Sequence, residues 1–195
     1  ENYIKQGLST FEIDKKGEEL IRKCDGIPSF LGYNGFPASI CVSVNDQVVH
    51  GIPDKEHFIE EGDIVSLDAG LIYKGWHADA ARTVPVGKII PELADLIEVT
   101  RQSFFEGIKK AIPGNYINDI SEAIQDYVES HGYSVVRDLA GHGIGQNLHE
   151  APDIYNFRQK TKGIKIEKNM TFAIEPMVNM GGYEVEWGED DWTVY

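Results

Sequence analysis

Two acidic residues stand where a packed chain has the least room for them. Asp68 lies inside the apolar run Ile64 to Tyr73, and Glu175 closes the run Phe172-Ala173-Ile174-Glu175. Aspartate is depleted in strand interiors, and an ionised carboxylate among apolar neighbours is costly unless a cation or hydrogen bonds offset it. The two positions are 107 residues apart, and at the same offset Gly7 matches Gly114, Ile13 matches Ile120, Ile21 matches Val128 and Gly62 matches Asn169. Each half runs through a glycine turn, a helix, a strand region and a strand ending on a carboxylate. A duplicated αβ unit with pseudo-twofold symmetry accounts for that order, and would set Asp68 and Glu175 facing each other on the concave side of a shared sheet.

The local signals fill in this frame. Ser9-Thr10-Phe11-Glu12 has capping-box spacing ahead of a helix whose apolar stripe is Ile13, Gly17, Leu20, Ile21 and Cys24. Tyr3 to Gly7 reads as the tail of an earlier helix. Ser39 to Val44 and Gln47 to His50, split by Asn45-Asp46, read as a hairpin, and Ile64 to Tyr73 with Trp76 to Val84 as a longer one turning at Lys74-Gly75. Helices are expected from Pro91 to about Ala111 and from Ile117 to Ser130, then strands at Tyr133 to Leu139 and Met170 to Met177, and a strand pair from near Glu184.

Turning at Lys74-Gly75 makes opposed residues sum to 149, so Gly70 faces Asp79 and Asp68 faces Ala81. Asp68 and Asp79 then lie diagonally on one face, about 7–8 Å apart at the backbone, within reach of one ion or two adjacent ions. His142 sits in Gly141-His142-Gly143-Ile144-Gly145 after a strand. That spacing is wrong for a dinucleotide loop, and no amphipathic helix follows it; the flanking glycines imply close backbone approach around an imidazole. His149 follows seven residues on. Two Asp, one Glu and one His form an oxygen-rich donor set suited to Mn(II), Fe(II) or Co(II) rather than a thiolate zinc site, and the excess of carboxylate fits two bridged metals. His50, at the end of Val48-Val49-His50, reads as a surface histidine.

Composition removes competing classes. Eighteen basic against 32 acidic residues give a net charge of −14, which repels phosphate backbones and argues against nucleic acid as a partner. A hydrophobic content of 42% in 195 residues supports a buried core. No apolar stretch reaches the roughly 20 residues of a membrane span. Cys24 and Cys41 lack the number and spacing of a disulfide framework, which makes a reducing compartment, the cytoplasm, the default.

The blocks Cys41 to Asn45 through His50-Gly51-Ile52-Pro53, Asp68 with Asp79, Gly141 to Gly145 through His149-Glu150, and Phe172 through Glu175-Pro176-Met177-Val178 resemble the type I methionine aminopeptidases, in order and along the whole chain. The resemblance implies an α+β pita-bread fold, two pseudosymmetric αβ halves sharing a curved antiparallel sheet with helices on its outer face. Residues 1–195 would form one catalytic domain with half-repeats at about 1–90 and 91–195. It implies removal of N-terminal methionine from new polypeptides by a metal-bridging hydroxide, with two divalent ions (Co, Mn, Fe or Zn). Carried over by position, Asp68, Asp79, His142 and Glu175 would be metal ligands. His50, His149 and Glu175 would be catalytic, with Glu175 as proton acceptor. Phe30, Tyr33, Phe36, Cys41, His50, Leu148, His149 and Trp192 would hold the substrate. Asn34 and Leu148 depart from the family's usual His and Phe, which alters pocket shape rather than chemistry.

Both ends read as cut. The chain opens at Glu1 without most of the family's N-terminal helix and stops at Tyr195, ahead of a strand that supplies the family's last bridging Glu; loss of that carboxylate would weaken at least one metal. The expected partners are N-terminal Met peptides and nascent chains at the ribosome, acted on by a monomer. Two competing readings are a non-catalytic peptide-binding paralogue or inactive fragment, and a prolidase or aminopeptidase P of the same fold.

Overall fold

The computed structural model describes residues 3–195. Its elements are α1 (Thr10–Lys23), β1 (Ile27–Pro28), β2 (Cys41–Val44), β3 (Ile64–Tyr73), β4 (Trp76–Pro85), α2 (Pro91–Ile108), α3 (Ile117–Ser130), β5 (Ser134–Val135), β6 (Gly141–Gly143), β7 (Glu150–Ile154), β8 (Phe172–Ala173) and β9 (Val178–Asn179). No helix among the described residues is long and apolar enough to cross a membrane. The chain divides into two compact units, the first taking in the chain up to Ala94 together with Glu186–Tyr195, the second Asp95–Val185.

In the first unit β1 and β2 pair along one edge of β3 and β4 along the other, all antiparallel. The long hairpin has the expected register, with Asp68 opposite Ala81 and Gly70 opposite Asp79. Lys74 and Gly75 both take positive φ, 51° and 82°, the backbone of a tight primed turn that matches strand twist. Ser9 caps α1: its backbone N–H donates to Glu12 Oε2 at 2.8 Å while Glu12 N–H donates to the Ser9 hydroxyl at 3.2 Å. Ile13 and Ile21 from α1 join Ile40, Val42, Val44, Ile59, Val65 and Val86 in the core. Gly17 lets the helix settle on Ile40, whose Cδ1 would lie 2.8 Å from any added Cβ. Leu20 and Cys24 fall outside the packed stripe and are exposed.

The second unit buries Ile117, Ile120, Ile124 and Val128 of α3 against Val135, Ile154 and Ile166. Its sheets are small: β6 lies between β7 and β8, and β5 pairs with β9. The duplication is visible bond by bond. α1 and α3 are both 14 residues long, at the expected offset of 107. Gly7 N–H donates to the Ile59 carbonyl as Gly114 N–H does to Ile166, and Gly26 N–H donates to Ile21 as Tyr133 N–H does to Val128. Tyr116 N–H donates to Asp119 as Ser9 N–H does to Glu12. Gly62 and Asn169 share a positive φ, which asparagine tolerates better than most residues.

Several expectations fail. Tyr3 to Gly7 is not helical. Gln47 to His50 forms no strand with β2, whose ladder partner is β3. The Asn45 side chain instead ties its turn to the start of β3, donating to Asp63 and accepting from Ile64 N–H, and Val48 N–H donates to the Val194 carbonyl at 2.7 Å. The chain end is thereby drawn onto the first unit, where Glu186 and Tyr195 exchange backbone bonds at 2.8 Å as the expected terminal pair. The strands expected at Tyr133 to Leu139 and Met170 to Met177 shrink to two residues each, and α2 ends at Ile108 in tightened turns. β7, a strand containing Pro152, had no sequence signal because proline argues against strand.

The entry to β2 is fixed from α1 by Asp14, only 2% exposed, whose Oδ1 accepts Ser39 N–H at 2.8 Å and Ile40 N–H at 3.0 Å. Removing a buried acceptor leaves both donors dry. Asp14→Ala is therefore expected to lower unfolding free energy in urea by about 3 kcal/mol, and Asp14→Asn, which keeps an oxygen there, by about 1 kcal/mol.

Candidate metal centre

Directly opposed strand residues share a face, so Cys41 opposite Asp68, and Asp79 opposite Gly70, place these four positions on one side of the first unit's sheet. The missing side chain at Gly70 makes room for an aromatic ring, since a Cβ there would lie 2.5 Å from Phe30 Cε1 and 2.9 Å from Ser29 Cβ. Phe30 thus covers the sheet between the two aspartates. Ser29 Oγ is 2.9 Å from Nδ1 of His77, the residue two before Asp79 on the same face, and this bond fixes the loop that carries Phe30. Sequence reading gave His77 no role, because its partner lies 48 residues away.

Phe36 and His50 lie around Trp192. Phe36, 3% exposed, meets its ring edge-on at 5.1 Å, and the His50 ring stands 6.4 Å from it. Tyr33 lies in the short 3-10 turn before Phe36. His50 is not the surface side chain expected: it is partly buried and holds a left-handed backbone, φ 59°. Burial pushes its pKa below the ordinary imidazole value, and a hydrogen bond with the Trp192 backbone only partly opposes that. A neutral imidazole results at neutral pH.

In the second unit the glycines flanking His142 act as expected. A Cβ on Gly141 would collide with the Ala173 carbonyl oxygen, and one on Gly143 with that of Ala151. The two neighbouring strands therefore close on both sides of a buried histidine, 5% exposed. Its Nδ1 is 2.8 Å from the Gly143 carbonyl oxygen, an acceptor only, so Nδ1 carries the proton. Nε2 is then the atom with a lone pair, and it lies 3.1 Å from Glu175 Oε1. A metal-ligating histidine is commonly held in this way, its second nitrogen donating to a carbonyl. The exposed His149 ring sits 4.1 Å from the His142 ring, while Leu148 beside it is buried.

The donor chemistry fits a divalent cation. A tautomer-locked imidazole faces a carboxylate in the second unit, and two strand aspartates share one face in the first. Clustered carboxylates repel each other when ionised, and a cation removes that cost.

Comparison with known proteins agrees with this chemistry. Residues 1–194 match metallopeptidase family M24. The chain is 51% identical to a methionine aminopeptidase of Clostridium acetobutylicum, over 100% of its own length and 78% of the relative's. It superposes on the crystal structure of the Thermotoga maritima methionine aminopeptidase with a TM-score of 0.96 at 42% identity, covering 99% of this chain and 78% of that one. An Xaa-Pro dipeptidase of Bacillus anthracis is more distant, with a TM-score of 0.74 at 28% identity over 90% of this chain and 47% of that one. The α+β pita-bread fold follows, and the chain belongs to metallopeptidase family M24, on its methionine aminopeptidase branch.

Proposed function

We propose that this protein is a metal-dependent methionyl aminopeptidase, hydrolysing the bond after an N-terminal methionine. The observation that carries the reading is the full-length likeness to methionine aminopeptidases, joined to a His142–Glu175 pair whose tautomer suits a metal. Likeness at this level speaks against the non-catalytic alternative, and the greater distance of the Xaa-Pro dipeptidase speaks against the prolidase alternative.

In this reading Asp68, Asp79, His142 and Glu175 hold the metal, with two divalent ions (Co, Mn, Fe or Zn) as the occupancy. Bound there, divalent ions would polarise the scissile carbonyl and lower the pKa of water. Glu175 accepts the proton released by the attacking water. His149, exposed and tilted against the His142 ring, donates to the oxygen on which charge develops. His50, neutral because partly buried, interacts with the scissile nitrogen. Phe30, Tyr33, Phe36, Cys41, Leu148 and Trp192 receive the methionine side chain, whose polarisable thioether suits aromatic surfaces. The substrates are new polypeptides emerging at the ribosome, and the enzyme works as a cytoplasmic monomer.

Incubation with a Met-Ala-Ser peptide and Mn(II) or Co(II), followed by chromatography, should release free methionine, and a chelator should abolish it. Faster cleavage of an Xaa-Pro dipeptide, or methionine release indifferent to chelation, would contradict the reading. Glu175→Gln and Asp79→Asn should each lower kcat/KM by more than the roughly 10–100-fold typical of outer-shell partners.

A second prediction concerns pH. His50 titrates lower in the folded chain than its ordinary value of 6.5, so the folded state binds fewer protons than the unfolded one just below that pH. Its contribution to stability is complete above 6.5 and is lost as pH falls from there through the folded pKa. Between pH 7 and pH 5, Tm should fall further in the wild type than in His50→Gln; equal slopes would remove His50 as a source of the acid sensitivity.

A further inference from the structure

We infer that Asn156 is a positioning residue for Glu175, gripping that residue's backbone so that its carboxylate stays aligned with His142; the inference rests on the reading of Glu175 as a metal ligand. Asn156 is wholly buried, at 0% exposure. Its Nδ2 donates to the Glu175 carbonyl oxygen at 2.6 Å. A carbonyl can only accept, which fixes the orientation of the amide. Its Oδ1 is left buried with no hydrogen-bond partner among the described residues. Burying a carboxamide with one end unsatisfied is expensive, so packing alone gives a poor reason for an asparagine here; a residue that must donate to one particular carbonyl gives a better one.

The backbone around Glu175 explains the need. The β8 strand ends at Ala173, and the Met177 carbonyl beyond it accepts Val136 N–H at 3.0 Å. Pro176 lies between and has no N–H to offer. The carboxylate proposed to ligate the metal therefore sits in a stretch outside the regular ladder. Asn156 comes two residues after the end of β7, on the opposite side of β6 from β8. Gly141, at the end of β6, pairs with Ile154 of β7, and a Cβ on it would come within 3.3 Å of Glu175 N. With that side chain absent, the Asn156 amide spans from the β7 side to the β8 side, past the end of the strand that carries His142. One side chain thus ties both outer strands at the point where the His142–Glu175 pair is set.

The test is Mn(II) affinity, measured by calorimetry on the whole chain for the wild type and for Asn156→Asp, Asn156→Ala, Glu175→Gln and Ile124→Val. Asn156→Asp keeps the volume and removes the donor, which guards against a cavity effect in Asn156→Ala. Ile124→Val thins the same unit's core without touching Glu175. Both Asn156 variants should weaken Mn(II) binding about 10–100-fold, in line with outer-shell partners, while Ile124→Val leaves it unchanged at a similar loss of Tm. In peptide hydrolysis kcat should fall with little change in KM. Wild-type Mn(II) affinity in Asn156→Asp, or an equal loss in Ile124→Val, would overturn the positioning role. Wild-type affinity in Glu175→Gln would instead remove the ligand reading beneath it, so the two failures are distinguishable.

Discussion

Ionised carboxylates on strands impose the demand that organises this chain. An aspartate in the middle of a ten-residue strand is tolerable only if the sheet offers it a face that is neither fully apolar nor fully wet. The first unit provides this through what surrounds the acids. Gly70 removes a side chain between Asp68 and Asp79, and Phe30 fills the gap with a ring that excludes water without competing for the charge. The Ser29–His77 bond then fixes Phe30 from the far side. The aromatic surface proposed for methionine and the carboxylates proposed for metal are parts of one local solution to the same electrostatic problem.

The two units answer that demand differently although they descend from one pattern. The turn before the first helix, its cap, the helix length and the loop behind it repeat at an offset of 107, down to individual backbone bonds. What differs is the sheet. β3 runs ten residues and is paired on both edges, so Asp68 is held by a continuous ladder. β8 runs two residues, and the second unit compensates with glycines that let backbones approach His142 and with a buried amide that grips Glu175. Helices repeat more faithfully than strands here because their bonds are internal, whereas strand length depends on neighbours that the two units do not share.

This difference also marks what could be read from the sequence. The hairpin register, the Ser9 capping box, the bounds of α3 and the close approach around His142 were legible because each depends on residues near in sequence: a turn pair, a four-residue spacing, a helical period, two flanking glycines. The contacts that finish the site were not. Asp14 reaches Ser39 and Ile40 across 25 and 26 residues, Ser29 reaches His77 across 48, and Asn156 reaches Glu175 across 19, with no periodicity or spacing to announce any of them. The hairpin expected after β2 failed for the same reason. Asn45 and Asp46 resemble turn residues, and they do turn the chain, but the Asn45 side chain bonds to Asp63 and Ile64 and sends the following segment to Val194.

His50 brings the local and long-range constraints together. A non-glycine residue with φ near 59° is strained unless its surroundings hold it there. The holding comes from the chain end: Val48 and Val49 exchange backbone bonds with Val194, and the ring faces Trp192, whose backbone bonds to it. Asp190 in turn fixes that end, accepting from Trp192 N–H, Thr193 N–H and the Thr193 hydroxyl at 2.9, 2.8 and 2.6 Å. A partly buried, neutral imidazole is then the consequence of a turn that an acidic side chain closes, although that turn lies some 140 residues away in sequence. The acidity of the chain has a use here beyond solubility: a few carboxylates act as hydrogen-bond acceptors for backbone that no ladder satisfies, and the strained histidine stays in place because they do.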